Sequence, residues 1–220
     1  NITVECCNCD GSKAELVGNG LRCAAMFAFQ HSMTRNPTPL FITGGGELHA
    51  RVLSDNTVRI ELPLTEPFER LDGVEEHTVY HGVVGVPHLV LRMDDLRNCD
   101  ILPLGRRLRN SKAFQPEGTN VNFISFDSAF KNPVEIRTFE RGVEDDTMAC
   151  GTVIAAAGCV LWKFFHAPAR LTFRTRCGDL LQLDVNEVNG AVSNMKLTGP
   201  AVEILRGTAC MDLFGVEIGN

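Results

Sequence analysis

Met148-Ala149-Cys150-Gly151-Thr152 leads into Val153-Ile154-Ala155-Ala156-Ala157-Gly158-Cys159-Val160-Leu161-Trp162. A Gly-Thr step followed by an unbroken small and apolar run reads as a buried helix, because alanine loses little entropy in a helix and nothing in the run calls for solvent. Cys150 then falls at the helix N-terminus. The unpaired backbone N–H groups and the positive dipole end there favour a thiolate and a bound carboxylate. A cysteine so placed is a candidate acid/base or nucleophile. The plain alternative is a small buried hydrophobe, the usual fate of a free cysteine.

A second stretch has the same grammar. Val17-Gly18-Asn19-Gly20 precedes the apolar run Leu21 to Phe29. Placing Val17 on Cys150, 133 positions later, sets further landmarks in the same order. Gly46-Glu47-Leu48 falls against Gly178-Asp179-Leu180, and the strand-like Ile2 to Cys7 against Val134 to Phe139. Leu64-Thr65-Glu66-Pro67 falls against Leu197-Thr198-Gly199-Pro200 after one extra residue in the later hairpin. Such order argues for one strand–turn–helix–hairpin unit used twice. Two units of this kind set two helix N-termini face to face across a pseudo-twofold cleft, a pocket suited to a carboxylate.

Around these units, Leu48–Leu53 and Thr57–Leu62 alternate with period two about Ser54-Asp55-Asn56 and read as a hairpin. Pro63 to Glu76, with two prolines and mixed charges, reads as a linker or long connection. It divides a first repeat over 1–76 from a second over 77–220, whose last residues are expected to return to the first domain. Strands are expected at Thr78–Val84, Pro87–Arg92, Val121–Phe126, Val134–Phe139 and Leu171–Thr175, with helical turns between Asp94 and Asn110.

Composition removes several classes of function. A net charge of −6 without a basic run argues against nucleic acid as the main partner. No apolar stretch reaches the roughly 18 residues of a membrane span. No secretory leader is visible, and nine cysteines, an odd number without the spacing of a secreted scaffold, read as reduced thiols of a cytoplasmic protein. Cys6, Cys7 and Cys9 form no CxxC pair and have no matching partner set, so no metal site is expected. Because Ile2 already reads as a strand in progress, a native segment is expected before Asn1.

Several motifs in order resemble the diaminopimelate epimerase family. They are Cys9-Asp10-Gly11-Ser12, Gly18-Asn19-Gly20-Leu21-Arg22-Cys23, Pro87-His88 and Pro116-Glu117-Gly118-Thr119-Asn120-Val121-Asn122-Phe123, then Phe139-Glu140-Arg141-Gly142, Ala149-Cys150-Gly151-Thr152 and Leu197-Thr198-Gly199-Pro200-Ala201. The resemblance runs from Asn8 to the end of the chain. The family's opening segment, with its Gly-Asn-Asp-Phe motif, lies before Asn1. The resemblance implies an α+β fold of two pseudo-symmetric domains, each a curved, mostly antiparallel sheet wrapped around a central helix. It implies a small amino-acid substrate, a homodimer, and a reaction without pyridoxal phosphate, metal or other cofactor. One cysteine at each helix start would face the α-carbon from opposite sides and convert LL- to meso-diaminopimelate, a precursor of lysine and peptidoglycan.

Residue by residue, the resemblance makes Cys150 the second catalytic cysteine. Gly18, Asn19, Gly151 and Thr152 become backbone donors to the α-carboxylate, and Asn8 and Asn120 substrate-contacting amides. Glu140 and Arg141 would grip the amino and distal carboxylate groups, with His88 and Glu140 tuning the site. Read without it, Asn8 and Asn120 are turn or strand-end hydrogen-bonders, Glu140-Arg141 is a surface ion pair and His88 a satisfied core histidine.

The departures fall on the chemistry. The first cysteine position is Val17, and a valine transfers no proton. Cys23, six residues on, is a poor substitute. Val86 replaces an asparagine of the family, Val153 a glycine, and Glu140 stands ten residues before Cys150 where Asn8 stands nine before Val17. Inverting a carbon centre without a swinging group needs an acid/base on each face, and losing one costs about 10²–10⁴-fold. Three readings follow: an impaired epimerase, a one-base dehydratase or isomerase on the same fold, and a non-catalytic homologue.

Overall fold

The run from Gly151 to Leu161 is buried without a break and makes up most of helix α3 (Gly151–Phe165). The computed structural model describes residues 1–5, 7, 13, 18–44, 46–53, 56–63, 66–96, 99–147 and 151–207. Helix α1 is Gly18–Gln30 and α2 is Leu102–Arg109. The strands are β1 (Ile2–Thr3), β2 (Leu40–Thr43), β3 (Gly46–Val52), β4 (Thr57–Pro63), β5 (Glu66–Val74), β6 (His77–Val84) and β7 (Val86–Arg92), followed by β8 (Asn120–Ser125), β9 (Val134–Phe139), β10 (Asp146–Thr147), β11 (Arg170–Arg174), β12 (Leu180–Val188) and β13 (Ala191–Pro200).

These strands pair in the order β1-β2-β3-β4-β13-β12-β11-β9-β8-β7-β6-β5, with β10 on β9. The repeat is visible in the register. Strand β1 runs parallel to β2 with Ile2 opposite Phe41, and β9 runs parallel to β11 with Val134 opposite Phe173. Both pairs span 39 positions. In each unit the helix fills the crossover between parallel strands, and an antiparallel hairpin follows. The two units join edge to edge through antiparallel β4 and β13. The expected α+β fold of two units, each with a mostly antiparallel sheet packed on its own helix, is what forms.

Helix α3 is wrapped by β6, β7, β8, β12 and β13, while α1 packs on β3 and β4. Alternation on β7–β9 separates two cores. Val90, Ile124 and Ile136 join α3 on the inner face. Leu89, Leu91, Val121, Phe123 and Phe139 form the outer face with Leu108 of α2 and Phe114. At 25 cal/mol per Å², each such side chain contributes about 1.5–3 kcal/mol of transfer free energy, which is why period two fixes the register so strongly.

Two expectations need correction. Residues 66–74 form β5 rather than linker; Pro67 is tolerated because β5 lies at the end of the sheet, where its register against β6 slips between Glu66 and Glu69. Nor do the two hairpins differ by one residue. Phe41 pairs with Leu48 as Phe173 pairs with Leu181, so buried Ala50 corresponds to buried Leu183; Ala50 pairs with Ile60, ten positions on, and Leu183 with Leu197, fourteen positions on. The later hairpin is thus longer by four residues.

Candidate active site

At one end of the inner face the apolar alternation turns polar. His88 on β7 sits in register with Asn120 on β8, and Asn122 with Thr138 on β9. All four are buried. The pattern is legible strand by strand, as His88 before Val90, Asn120 and Asn122 before Ile124, and Thr138 after Ile136. The apolar members anchor the strands on α3; the polar members are held for hydrogen bonding.

The Asn122 amide nitrogen donates to the Leu89 carbonyl at 2.9 Å and lies 3.2 Å from His88 Nδ1. Thr138 Oγ1 donates to Asn122 Oδ1 at 3.3 Å. With the amide nitrogen as donor, His88 Nδ1 is the acceptor and Nε2 carries the proton. Burial pushes the His88 ring down to a pKa of about 3, and the positive charge of Arg141 acts in the same direction. The Val84 carbonyl and Asn122 oppose that shift without cancelling it. His88 is therefore a neutral imidazole at working pH. Its Nε2 is buried and has no hydrogen-bond partner among the described residues.

Asn120 ties two loops together. Its Oδ1 accepts the backbone N–H of Arg141 at 2.8 Å, and the Arg141 guanidinium donates to the Glu117 carbonyl at 3.1 Å. The turn that carries Glu140 and Arg141 closes through Glu140 N–H to the Asp145 carbonyl and Glu144 N–H to the Glu140 carbonyl. Arg109 of α2 pins that turn by donating to Glu144 at 3.2 Å.

The helix starts complete the geometry. A Cβ built on Gly18 would lie 3.1 Å from the Gly151 Cα, and one on Gly151 would lie 3.2 Å from the Gly18 Cα. The N-termini of α1 and α3 thus abut backbone to backbone, a contact that only glycine permits. Their positive dipole ends converge, which is the electrostatic requirement for an anion. Of the expected site residues, Gly18, Asn19, His88, Asn120, Glu140, Arg141, Gly151 and Thr152 are described; Asn8, Val17 and Cys150 lie outside the described residues. Asn122 and Thr138 were not expected, although period two on β8 and β9 carried the signal. Among the described residues no group of three His, Cys, Asp or Glu is disposed to hold a metal, and no helix is long and apolar enough to cross a membrane.

Comparison with known proteins draws these observations together. The family model described as diaminopimelate epimerase matches residues 79–203. Diaminopimelate epimerase of Aquifex aeolicus (strain VF5) is 35% identical over 208 residues, covering 91% of this chain and 71% of that protein. This chain belongs to the diaminopimelate epimerase family. The enzyme of Hydrogenobaculum sp. (strain Y04AAS1) is 33% identical over 214 residues, 94% of this chain and 74% of its own length. The family assignment makes the chain an isomerase of epimerase type. The same fold is seen in a phenazine biosynthesis PhzF-family protein of Enterococcus faecalis, with a TM-score of 0.67 at 14% identity over 90% of this chain and 74% of that one. It is seen again in a hydroxyproline epimerase of Agrobacterium vitis with bound trans-4-OH-L-proline, with a TM-score of 0.64 at 15% identity over 90% and 68%.

Proposed function

We propose that this diaminopimelate epimerase relative acts on the α-carbon of LL-diaminopimelate, without pyridoxal phosphate, in the cytoplasmic route to lysine and peptidoglycan. The observation that carries this reading is the abutment of Gly18 and Gly151, which brings two helix N-termini to one point. The α-carboxylate sits on the N–H groups of both helices. As the α C–H bond breaks, its electron pair moves onto the α-carbon and into the carboxylate, where those N–H groups stabilise the developing charge. Cys150, next before Gly151, accepts the proton as thiolate. Glu140 and Arg141 hold the amino group and distal carboxylate. Neutral His88 offers a hydrogen bond without adding charge.

Inversion needs a proton delivered to the opposite face. Val17, next before Gly18, has none to give. The carbanion is then reprotonated mainly by Cys150 on the face it left, giving exchange without inversion. The test is incubation with LL-diaminopimelate in heavy water, following α-deuterium and stereochemistry separately. Deuterium should enter faster than meso product forms, and Val17→Cys should raise inversion by about 10²–10⁴-fold. Efficient inversion by the native chain, unimproved in Val17→Cys, would overturn the one-thiol mechanism. The same substitution favours a second reading, a one-base dehydratase or isomerase; turnover of a β-hydroxylated amino acid with no exchange on diaminopimelate would select it.

A further inference from the structure

Asp146 opens the two-residue strand β10, four residues before Cys150. Its side chain is only 3% exposed. Oδ2 accepts from Arg137 Nη2 at 2.6 Å and Nε at 3.0 Å, and Arg176 Nη1 stands 3.4 Å away. Arg176 also donates to the Asp146 carbonyl, and Arg137 Nη1 to the carbonyls of Leu96 and Cys99. One carboxylate therefore ties β9, β10, the backbone around Leu96 and the β11–β12 turn together. Asp146 pairs with Phe139, whose side chain lies in the outer core, so this cluster sits on the face away from α3. It cannot touch a substrate held at the helix starts.

The first unit has the corresponding hairpin pairing, with no such cluster among its described residues. Cys7 bridges Lys13 as Phe139 pairs with Asp146, and Lys13 pairs with Glu5 as Asp146 pairs with Arg137. The positions correspond at offsets of 132 and 133, with the charges reversed. Glu5–Lys13 is 3.4 Å long with side chains 69% and 76% exposed. Closing the hairpin thus does not demand a buried carboxylate held by two arginines, since an exposed pair of little energetic weight stands at the same place. Nor is a buried ion pair well explained by stability alone, because desolvation consumes most of the attraction. The buried carboxylate occurs in the unit whose helix is preceded by cysteine, and the exposed pair in the unit whose helix is preceded by valine.

We propose that Asp146, held by Arg137 and Arg176, is a positioning residue for Cys150. By anchoring β10, the last strand before α3, to β9 and to Arg176, it would set the direction from which the chain approaches α3 and so where the thiol is presented. The inference rests on Cys150 acting as the acid/base. The test compares the full-length native chain with Asp146→Asn and Arg176→Gln. Alkylation of the Cys150 peptide by iodoacetamide is followed by mass spectrometry across pH, alongside kcat and KM for α-hydrogen exchange on diaminopimelate. Asp146→Asn should lower kcat on the order of 10²-fold with KM little changed, the signature of a displaced reacting group, and should shift the alkylation profile of Cys150 to higher pH. Arg176→Gln, which removes the outer partner only, should shift both in the same direction by less. A folded Asp146→Asn chain with native kcat and a native alkylation profile overturns the proposal. Should Asp146→Asn fail to unfold cooperatively, a native profile in Arg176→Gln overturns it instead. Absence of exchange in the native chain, with the alkylation profile still shifted in the variants, would sink the substrate reading and leave the positioning role standing.

Discussion

The two units share a backbone plan and differ in what they ask of it. Val134 faces Phe173 as Ile2 faces Phe41, and each parallel pair is bridged by a helix that starts on a glycine. Yet one helix start follows Cys150 and the other Val17. One preceding hairpin is closed by a buried carboxylate between two guanidiniums, the other by an exposed Glu5–Lys13 pair. The polar inner face of His88, Asn120, Asn122 and Thr138 belongs to the strands beside α3. On the proposed reading, the two helix starts make a symmetric cradle for a carboxylate, while the groups assigned to proton transfer are concentrated in one half.

The largest expected effect breaks the comparison at its centre. Cys150→Ala should lower α-hydrogen exchange by about 10²–10⁴-fold, while Val17→Ala should leave exchange near the native rate. Measured by deuterium uptake, equal losses in the two variants would mean that the halves contribute alike and that the asymmetry lies elsewhere.

A second prediction tests what the halves still share. In Gly18→Ala the new methyl meets the Gly151 Cα at 3.1 Å; in Gly151→Ala it meets the Gly18 Cα and Leu197 Cδ2, both at 3.2 Å. The principal obstacle is backbone, which cannot rotate aside as a side chain can. Overpacking of this kind costs about 1–3 kcal/mol. Both variants should lose that stability in urea titrations, and both should lose exchange activity as the dipole ends are wedged apart. A loss confined to one of them would show that the helix starts are not held against each other.

How much of this was legible in sequence follows from which signals are local. The helices were, because glycine followed by an alanine-rich run admits few other structures. The polar inner face could have been read from period two. The strand β5 was misread, since Pro67 and neighbouring charges look like a linker until an edge position makes them acceptable. The hairpin lengths were misjudged because a repeated Leu-Thr motif was aligned by identity, whereas the ladder is set by which residues face the core. Arg137 and Asp146 lie nine positions apart among many charges, and only the pairing of β9 with β10 shows that they meet.

The buried ring of His88 gives a third test, in pH. Its folded pKa of about 3 lies below the unfolded value of 6.5, so between those values the unfolded chain binds the extra proton. Stability is fully present above pH 6.5 and falls as pH drops towards 3. By pH 5 this ring alone removes about 2 kcal/mol. Urea unfolding at pH 7 and pH 5 should show that loss in the native chain and a smaller one in His88→Gln. Equal losses in both would mean that the ring is solvated or already charged. The first unit has no counterpart to this acid sensitivity among its described residues, since the buried histidine lies on β7.

The smallest expected effect is the sharpest on the hairpins. Lys13→Ala removes the first unit's version of the Asp146 contact, but both its partners are exposed to water. Such pairs contribute roughly 0–1 kcal/mol, because solvent screens them and two long side chains must be ordered to form one. Unfolding free energy should therefore change by less than about 1 kcal/mol, and the deuterium-exchange rate should not change. Removing the carboxylate in Asp146→Ala deletes the charged hydrogen bonds from Arg137 while leaving Arg176 half in water, and should cost about 1.5–3 kcal/mol. If the two substitutions proved equally costly, the Asp146 cluster would be ordinary hairpin closure, and its burial beside the Cys150 connection would need no mechanistic reason. If they differ as stated, the second unit spends structure where the first does not, at the place where a thiol must be held.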